Sequence, residues 1–162
     1  MVVTFLYGLE FFEDNISFKK FDEQFLELSW NWLNDPEIKI LTNAPDITRE
    51  KQKEWFNSLP NRNDYIIWGV EADSVPIGVF GLKNITDMDC EYWGYIGDKR
   101  FWGKGLGKII LFSIENKARD LGMSYIWLKV IKKNTRALSL YTKQGYVVER
   151  EKDSLLIMRK QL

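Results

Sequence analysis

The sequence predicts a single α+β domain built on a mixed, mostly antiparallel sheet, and three observations carry that reading. Three strand-like runs (65–72, 76–85 and 90–96) follow one another through short turns, as in an antiparallel meander. A glycine-rich loop at 103–107 then leads into a long amphipathic helix pattern (106–121) and a further apolar strand (125–130), a β-α-β unit. The chain closes on two alternating runs, 146–151 and 154–160, that read as a hairpin. The predicted order is β-α-α-β-β-β-α-β-α-β-β.

Taken in order, residues 16–21 form the first strand, and the apolar segment 2–12 is available to pair with it across a turn at 13–15. Asp22 caps a helix through about Leu33, with Phe25, Leu28 and Trp32 on one stripe and Leu26, Trp30 and Leu33 on another. Asn34-Asp35-Pro36 ends it, because the residue before proline avoids the helical region. Asp46 or Thr48 opens a second helix running towards Leu59, with Pro60 beyond. The turns at 73–74 and 86–89 separate the meander strands. Gly122 stops the long helix, and a short helix over 134–144 ends at Gly145 in the position where a left-handed residue is needed. Neither a repeat nor an interdomain linker is visible, so residues 1–162 read as one domain carrying an N-terminal extension (1–15).

Composition removes several function classes. Lys plus Arg (23) balances Asp plus Glu (23), so no global charge draws the chain to nucleic acid or an anionic membrane. No apolar run reaches the roughly 20 residues of a membrane span. One cysteine, Cys90, excludes an internal disulfide and suits a reducing, cytoplasmic setting. The N-terminus lacks the features of a secretory leader. Histidine is absent altogether, which excludes a Ser-His-Asp triad and a His-ligated metal within the chain, and no metal site is expected. Proton transfer falls to Glu, Asp, Tyr, Lys, the lone Cys or water.

The stretch Trp102-Gly103-Lys104-Gly105-Leu106-Gly107-Lys108 is the strongest chemical signal. Glycine permits left-handed backbone and close approach of a ligand, and the first N–H groups of a helix have no partner within it. With the positive end of the helix dipole behind them, such groups make a seat for an anion, most often phosphate. A Walker A loop requires Ser or Thr after its lysine, whereas Lys108 is followed by Ile109. The dinucleotide fingerprint requires Gly-x-Gly-x-x-Gly, whereas the spacing here is Gly-x-Gly-x-Gly. On the residues alone, an anion seat and an ordinary tight helix entry both remain open.

The Phe101–Gly107 stretch resembles the pyrophosphate loop of the GCN5-related N-acetyltransferase superfamily, especially its RimJ/RimL-like branch. Asn134-Thr135-Arg136-Ala137-Leu138-Ser139-Leu140-Tyr141-Thr142-Lys143-Gln144-Gly145-Tyr146 is similar to that family's second signature, Asn-x-x-Ala-x-x-x-Tyr-x-x-x-Gly-Phe. The Leu33–Glu37 turn and the Phe80-Gly81-Leu82 strand look like the same branch, and the likeness runs from about Ile16 to Glu151. One departure is Trp102, where many members carry Gln or Arg. The resemblance implies a sheet with a V-shaped split, about four flanking helices, acetyl-CoA as co-substrate and a primary amine as acceptor.

It also implies roles. The amides of Gly103, Lys104, Gly105, Leu106, Gly107 and Lys108, beside Trp102, would hold the pyrophosphate. The pantetheine arm would lie along Tyr95, Ile96 and Gly97, where a main-chain N–H can stabilise the developing oxyanion. Asn134, with Ala137, would contact the pantetheine or orient the following helix. Tyr141 would give a proton to the departing thiolate, its phenol being near enough to a thiol in acidity. Glu91, at the start of the strand that carries the thioester, is the candidate base through water. A one-residue slip would turn it to the other face or leave it a solvated edge carboxylate. Cys90 has no partner to make it a thiolate nucleophile, so a covalent acyl-enzyme is rejected.

The resemblance places the first two helices over the acceptor, with Asn34, Asp35, Asn43 and Trp55 as pocket residues. Trp30, Trp32, Trp55, Phe56, Trp68, Tyr92 and Trp93 form an aromatic set whose flat faces suit a sugar ring or base, and the pattern is similar to acetyltransferases of amino-sugar nucleotides. A protein N-terminus, a polyamine or an aminoglycoside are the alternatives; the last two need acids such as Glu37, Asp46, Glu50 and Glu54. A CoA-binding sensor without chemistry is the alternative outside the enzyme class. The N-terminal extension is available to widen the sheet or to pair two copies in a homodimer.

Overall fold

Seven strands lie in one sheet in the order β1-β2-β3-β4-β5-β7-β6, in a computed structural model that describes residues 16–162. The strands are β1 (Ile16–Lys20), β2 (Ile66–Ala72), β3 (Val75–Lys83), β4 (Asp89–Ile96), β5 (Tyr125–Ile131), β6 (Val147–Lys152) and β7 (Leu155–Gln161). Every neighbouring pair is antiparallel except β4 and β5, which are parallel. The suggested pairing of residues 2–12 with the first strand lies outside the described residues.

Among the described residues five α-helices flank the sheet, one more than the four placed from the sequence and in keeping with the expected fold class: α1 (Glu23–Leu33), α2 (Pro36–Thr42), α3 (Arg49–Ser58), α4 (Leu106–Asp120) and α5 (Thr135–Lys143). The additional one is α2. Asp35 ends α1's turn and at once caps α2, its Oδ1 accepting from the amides of Glu37 and Ile38 at 3.0 and 3.2 Å. Pro36 then occupies the first helical turn, where its missing N–H costs nothing. The proline read as a terminator is thus also an initiator. Asp22 and Thr48 cap α1 and α3 through the amides of Phe25 and Lys51.

The larger core lies on the α4 face of the sheet. Ile110, Leu111, Ile114 and Ala118 of α4 pack on Ile77, Leu82, Cys90, Tyr92, Ile126 and Leu128. The smaller core, under α1 and α3, is aromatic: Phe21, Phe25, Leu26 and Val79, with Trp32, Trp55, Phe56, Trp93 and Tyr95 against them. Both cores carry aromatic rings, among them Phe80, Tyr92 and Tyr146 in the larger one.

The sheet splits between β4 and β5. Their ladder holds only Asp89–Tyr125, Cys90–Ile126 and Glu91–Trp127. Beyond Glu91, β4 continues to Ile96 paired with β3 alone, and β5 continues to Ile131 paired with β7 alone. Both strands thus offer main-chain groups to the opening.

Candidate active site

The glycine loop fills the connection between the free end of β4 and the N-terminus of α4. Gly103 and Gly105 sit at φ 71° and 78°, in the left-handed region that side chains resist. Gly105 is the helix cap and, having no side chain, leaves the first amides of α4 unclaimed. Among the described residues, none of the amides from Gly103 to Lys108 donates to a protein acceptor. A Cβ built on Gly103 would meet nothing within 4 Å, so the space before the loop is open. Lys104 and Lys108 make no ion pair among the described residues, and the Lys104 ammonium sits 5.6 Å from the Phe101 ring centroid. Six unengaged amides, a helix dipole and two lysines suit a diphosphate.

Trp102 has a different place. Its Nε1 donates to the Ile96 carbonyl at 2.8 Å, and the Arg136 guanidinium stands 5.3 Å from the centre of its ring. The indole therefore ties the end of β4 to the start of α5. Gly97 also departs from the expected role: its amide donates to the Ile77 carbonyl at 2.7 Å and is not available to a pantetheine arm. Asn134 caps α5 through the Ala137 amide at 3.2 Å and reaches the Leu41 carbonyl of α2 at 3.4 Å, so it orients the helix. Ala137 packs against the larger core.

Tyr141 and Glu91 lie on opposite sides of the point where the sheet parts. Tyr92 is the first β4 residue beyond the ladder, and the Tyr141 ring meets it edge-on at 6.1 Å. Tyr146 braces Tyr141 from α5's far end at 5.8 Å; its hydroxyl donates to Glu115, which also holds Lys160, both at 3.0 Å. Burial pushes the Tyr141 phenol up to about 12, with the Tyr92 hydroxyl opposing that rise. Tyr141 is therefore fully protonated at neutral pH, the state a proton donor needs.

Glu91 points to the α1–α3 face. It is 2% exposed, so it is not a solvated edge carboxylate. Asn84 donates to its Oε2 at 2.7 Å, and the Lys83 and Lys129 ammonium groups stand at 3.7 and 3.9 Å from Oε1. Burial pushes the Cys90 thiol up to about 12, which leaves it an inert core group. Asp89 pairs with Arg159, and the Thr86 hydroxyl accepts from the amides of Met88 and Asp89, so this segment is a turn.

The four expected pocket residues do not gather in one place. Asn34 closes α1 on the Trp30 carbonyl, and Asp35 caps α2 while binding Lys99 at 2.8 Å. That lysine and those two backbone amides hold the Asp35 carboxyl below its usual range. Trp55 packs edge-on to Phe21 at 5.7 Å and Tyr65 at 6.2 Å, inside the smaller core. Asn43 lines a groove of about 390 Å³ shared with Lys39, Ile40, Ala44, Ile131, Lys133 and Ser154. It lies beside the open end of the split, because Ile131 is the last residue of β5. Lys133 and Arg136 had no periodic signal to single them out.

A model of the Acetyltransferase (GNAT) family matches residues 24–146. Acetyltransferase PseH of Campylobacter jejuni is 28% identical over 147 residues, which is 90% of this chain and 92% of that protein. The crystal structure of the Campylobacter jejuni N-acetyltransferase PseH in complex with acetyl coenzyme A superposes with a TM-score of 0.71 at 22% identity, covering 90% of this chain and 98% of that one. Spermidine N-acetyltransferase from Vibrio cholerae, in complex with CoA and spermine, gives 0.77 at 20% identity over 90% of this chain and 93% of that one.

Proposed function

The chain belongs to the acetyltransferase (GNAT) family, and from that premise we propose that it transfers acetyl from acetyl-CoA to the primary amine of an amino-sugar nucleotide. One observation carries the reading of the chemistry: past Glu91 the strand loses its β5 partner, with Glu91 on one face and Tyr141 on the other. A thioester lying in that gap has a carboxylate towards its acceptor side and a phenol towards its thiol side.

Acetyl-CoA supplies the activated acyl group, and its thioester C–S bond breaks as the amine nitrogen forms the new C–N bond. The loop amides from Gly103 to Lys108 bind and orient the diphosphate. Glu91 receives, through water, the proton that the ammonium group must lose. Tyr141 gives its proton to the departing sulfur, and the second proton, which the nitrogen sheds as the amide forms, returns through water to the phenolate. A raised phenol pKa does not spoil this step, because the same dry surroundings raise the thiol's affinity for a proton.

Charge favours this acceptor over a polyamine or aminoglycoside. The groove at the open end of the split presents Lys133 as a cation that suits a phosphate, and no carboxylate of the described residues lines it, whereas a polycation needs carboxylates. Lys39 is closely paired with Asp46, and Lys133 makes no ion pair among the described residues. Asn43 and Ser154 add hydrogen-bonding groups there. The cytoplasm, which supplies acetyl-CoA and keeps Cys90 reduced, is the proposed compartment. No described helix is long and apolar enough to cross a membrane.

The test is thiol release over a panel of nucleotide-linked amino sugars, with amines at different ring positions, alongside spermidine, an aminoglycoside and peptide N-termini. Turnover with the nucleotides and mass gain of one acetyl group support the reading. Turnover confined to polyamines or peptides overturns the acceptor, and absence of turnover with every amine overturns the chemistry.

A further inference from the structure

Three side chains close on Glu91, and they are unequal. Lys83 stands directly across from it on β3, and Lys129 lies on β5, two residues past the last rung of the parallel ladder. Their ammonium groups are 3.7 and 3.9 Å from Oε1, beyond direct hydrogen bonding, and both side chains are partly exposed. A lysine on such a flexible stem supplies charge without fixing a direction. Asn84 is different. Its side-chain amide donates to Oε2 at 2.7 Å, and among the described residues this is the one direct hydrogen bond to the carboxylate.

Position 84 would not reach Glu91 if its strand simply ran on. Lys83 pairs with Glu91 and shares its face, so the next residue of an extended strand points to the opposite face. Instead β3 stops at Lys83, and Asn84 takes φ 49°, in the left-handed region. That conformation breaks the alternation and brings the Asn84 amide round to Glu91. Side chains resist this region, and asparagine is among those that tolerate it best. Glycine would make the same turn with less strain but has no side chain to donate. The strain therefore comes together with a hydrogen bond to one chosen oxygen. A buried carboxylate that takes up a proton works best with its orientation fixed, because proton transfer depends on geometry.

We infer that Asn84 is a positioning residue for the acetyl transfer: its amide locks the Glu91 carboxylate through Oε2, which leaves Oε1 to receive, through water, the proton of the acceptor ammonium. This rests on the acetyl-transfer reading above and adds to it the group that orients the base.

Asn84→Gly keeps the turn, relieves the left-handed strain and removes the donor. It is expected to melt within a few degrees of wild type and to lose about tenfold in kcat, with KM for acetyl-CoA unchanged. Thiol release with the panel member of highest kcat/KM reads this. Asn84→Asp keeps the shape of the side chain but replaces the donor by an acceptor, is expected to lose at least as much, and decides the question if Asn84→Gly melts early. A cycle with Glu91→Gln separates positioning from a structural role. Without the base there is nothing left to orient, so Asn84→Gly then changes kcat by less than about twofold. Wild-type kcat in either Asn84 variant overturns the inference, and so does a further tenfold loss in the Glu91→Gln background. Wild-type inactivity with every amine overturns the function reading and this inference together. Normal turnover by Glu91→Gln removes the base and this inference with it, whereas an impaired Glu91→Gln beside unaffected Asn84 variants overturns this inference alone.

Discussion

Replacing Gly103 by alanine separates what the loop does for the fold from what it does for a ligand, because Gly122 provides a matched control. Both residues are left-handed, at φ 71° and 82°, and a Cβ on either would meet no protein atom within 4 Å. Each alanine therefore pays the same backbone strain, about 1–2 kcal/mol, without a clash. For a chain of this size, that lowers Tm by roughly 2–8 °C in both variants. Gly122 ends α4, at the far end from the loop, so Gly122→Ala keeps the full stabilisation by acetyl-CoA. At a ligand concentration of about 100 Kd that stabilisation is about 2.7 kcal/mol. In Gly103→Ala the new methyl stands in the open space before the unengaged amides. A tenfold loss of affinity would remove about 1.4 kcal/mol, half of the ligand-induced shift. The assay is thermal melting of wild type and both variants across an acetyl-CoA series. Equal ligand-induced shifts in the two variants would falsify the assignment of the loop.

Three further outcomes follow from the site. Tyr141→Phe is expected to lower kcat by about 10²–10⁴-fold with the acetyl-CoA melting shift intact, read by thiol release; an unchanged kcat removes Tyr141 from the chemistry. Burial raises the Tyr141 phenol to about 12 and also raises Tyr65, Tyr92, Tyr95 and Tyr146. The unfolded chain thus releases these protons first, from about pH 10, so stability holds below that pH and falls above it. Chemical denaturation across pH 8–12 tests this, and a flat alkaline limb contradicts the buried tyrosine cluster. Asn134→Ala removes the cap of α5 and is expected to cost about 1 kcal/mol, read as a lowered denaturation midpoint.

Local chemistry was the legible part of this sequence. Asp22, Thr48 and Asn134 announce their helices because a short polar side chain before an apolar period has few other uses. The left-handed glycines at 103, 105, 122 and 145 stand where a side chain would be strained. The helix α2 was missed because it has seven residues, too few for a period to emerge, and because Pro36 both stops one helix and starts the next. The position of the split depends on where a parallel ladder fails, which is a property of two strands and not of either alone. Glu91 is equally ambiguous in sequence. Whether it is buried depends on Lys83, Asn84 and Lys129 arriving from neighbouring strands. The acceptor residues were the least legible: Asn34, Asp35 and Trp55 are common both in pockets and in caps or cores, and here they serve as the latter.

A crystal structure of the protein grown with acetyl-CoA measures the central claim most directly. The account predicts diphosphate oxygens within hydrogen-bonding distance of amides between Gly103 and Lys108, with the thioester in the gap beyond Glu91. Acetyl-CoA bound elsewhere, with that turn free of the diphosphate, would contradict it.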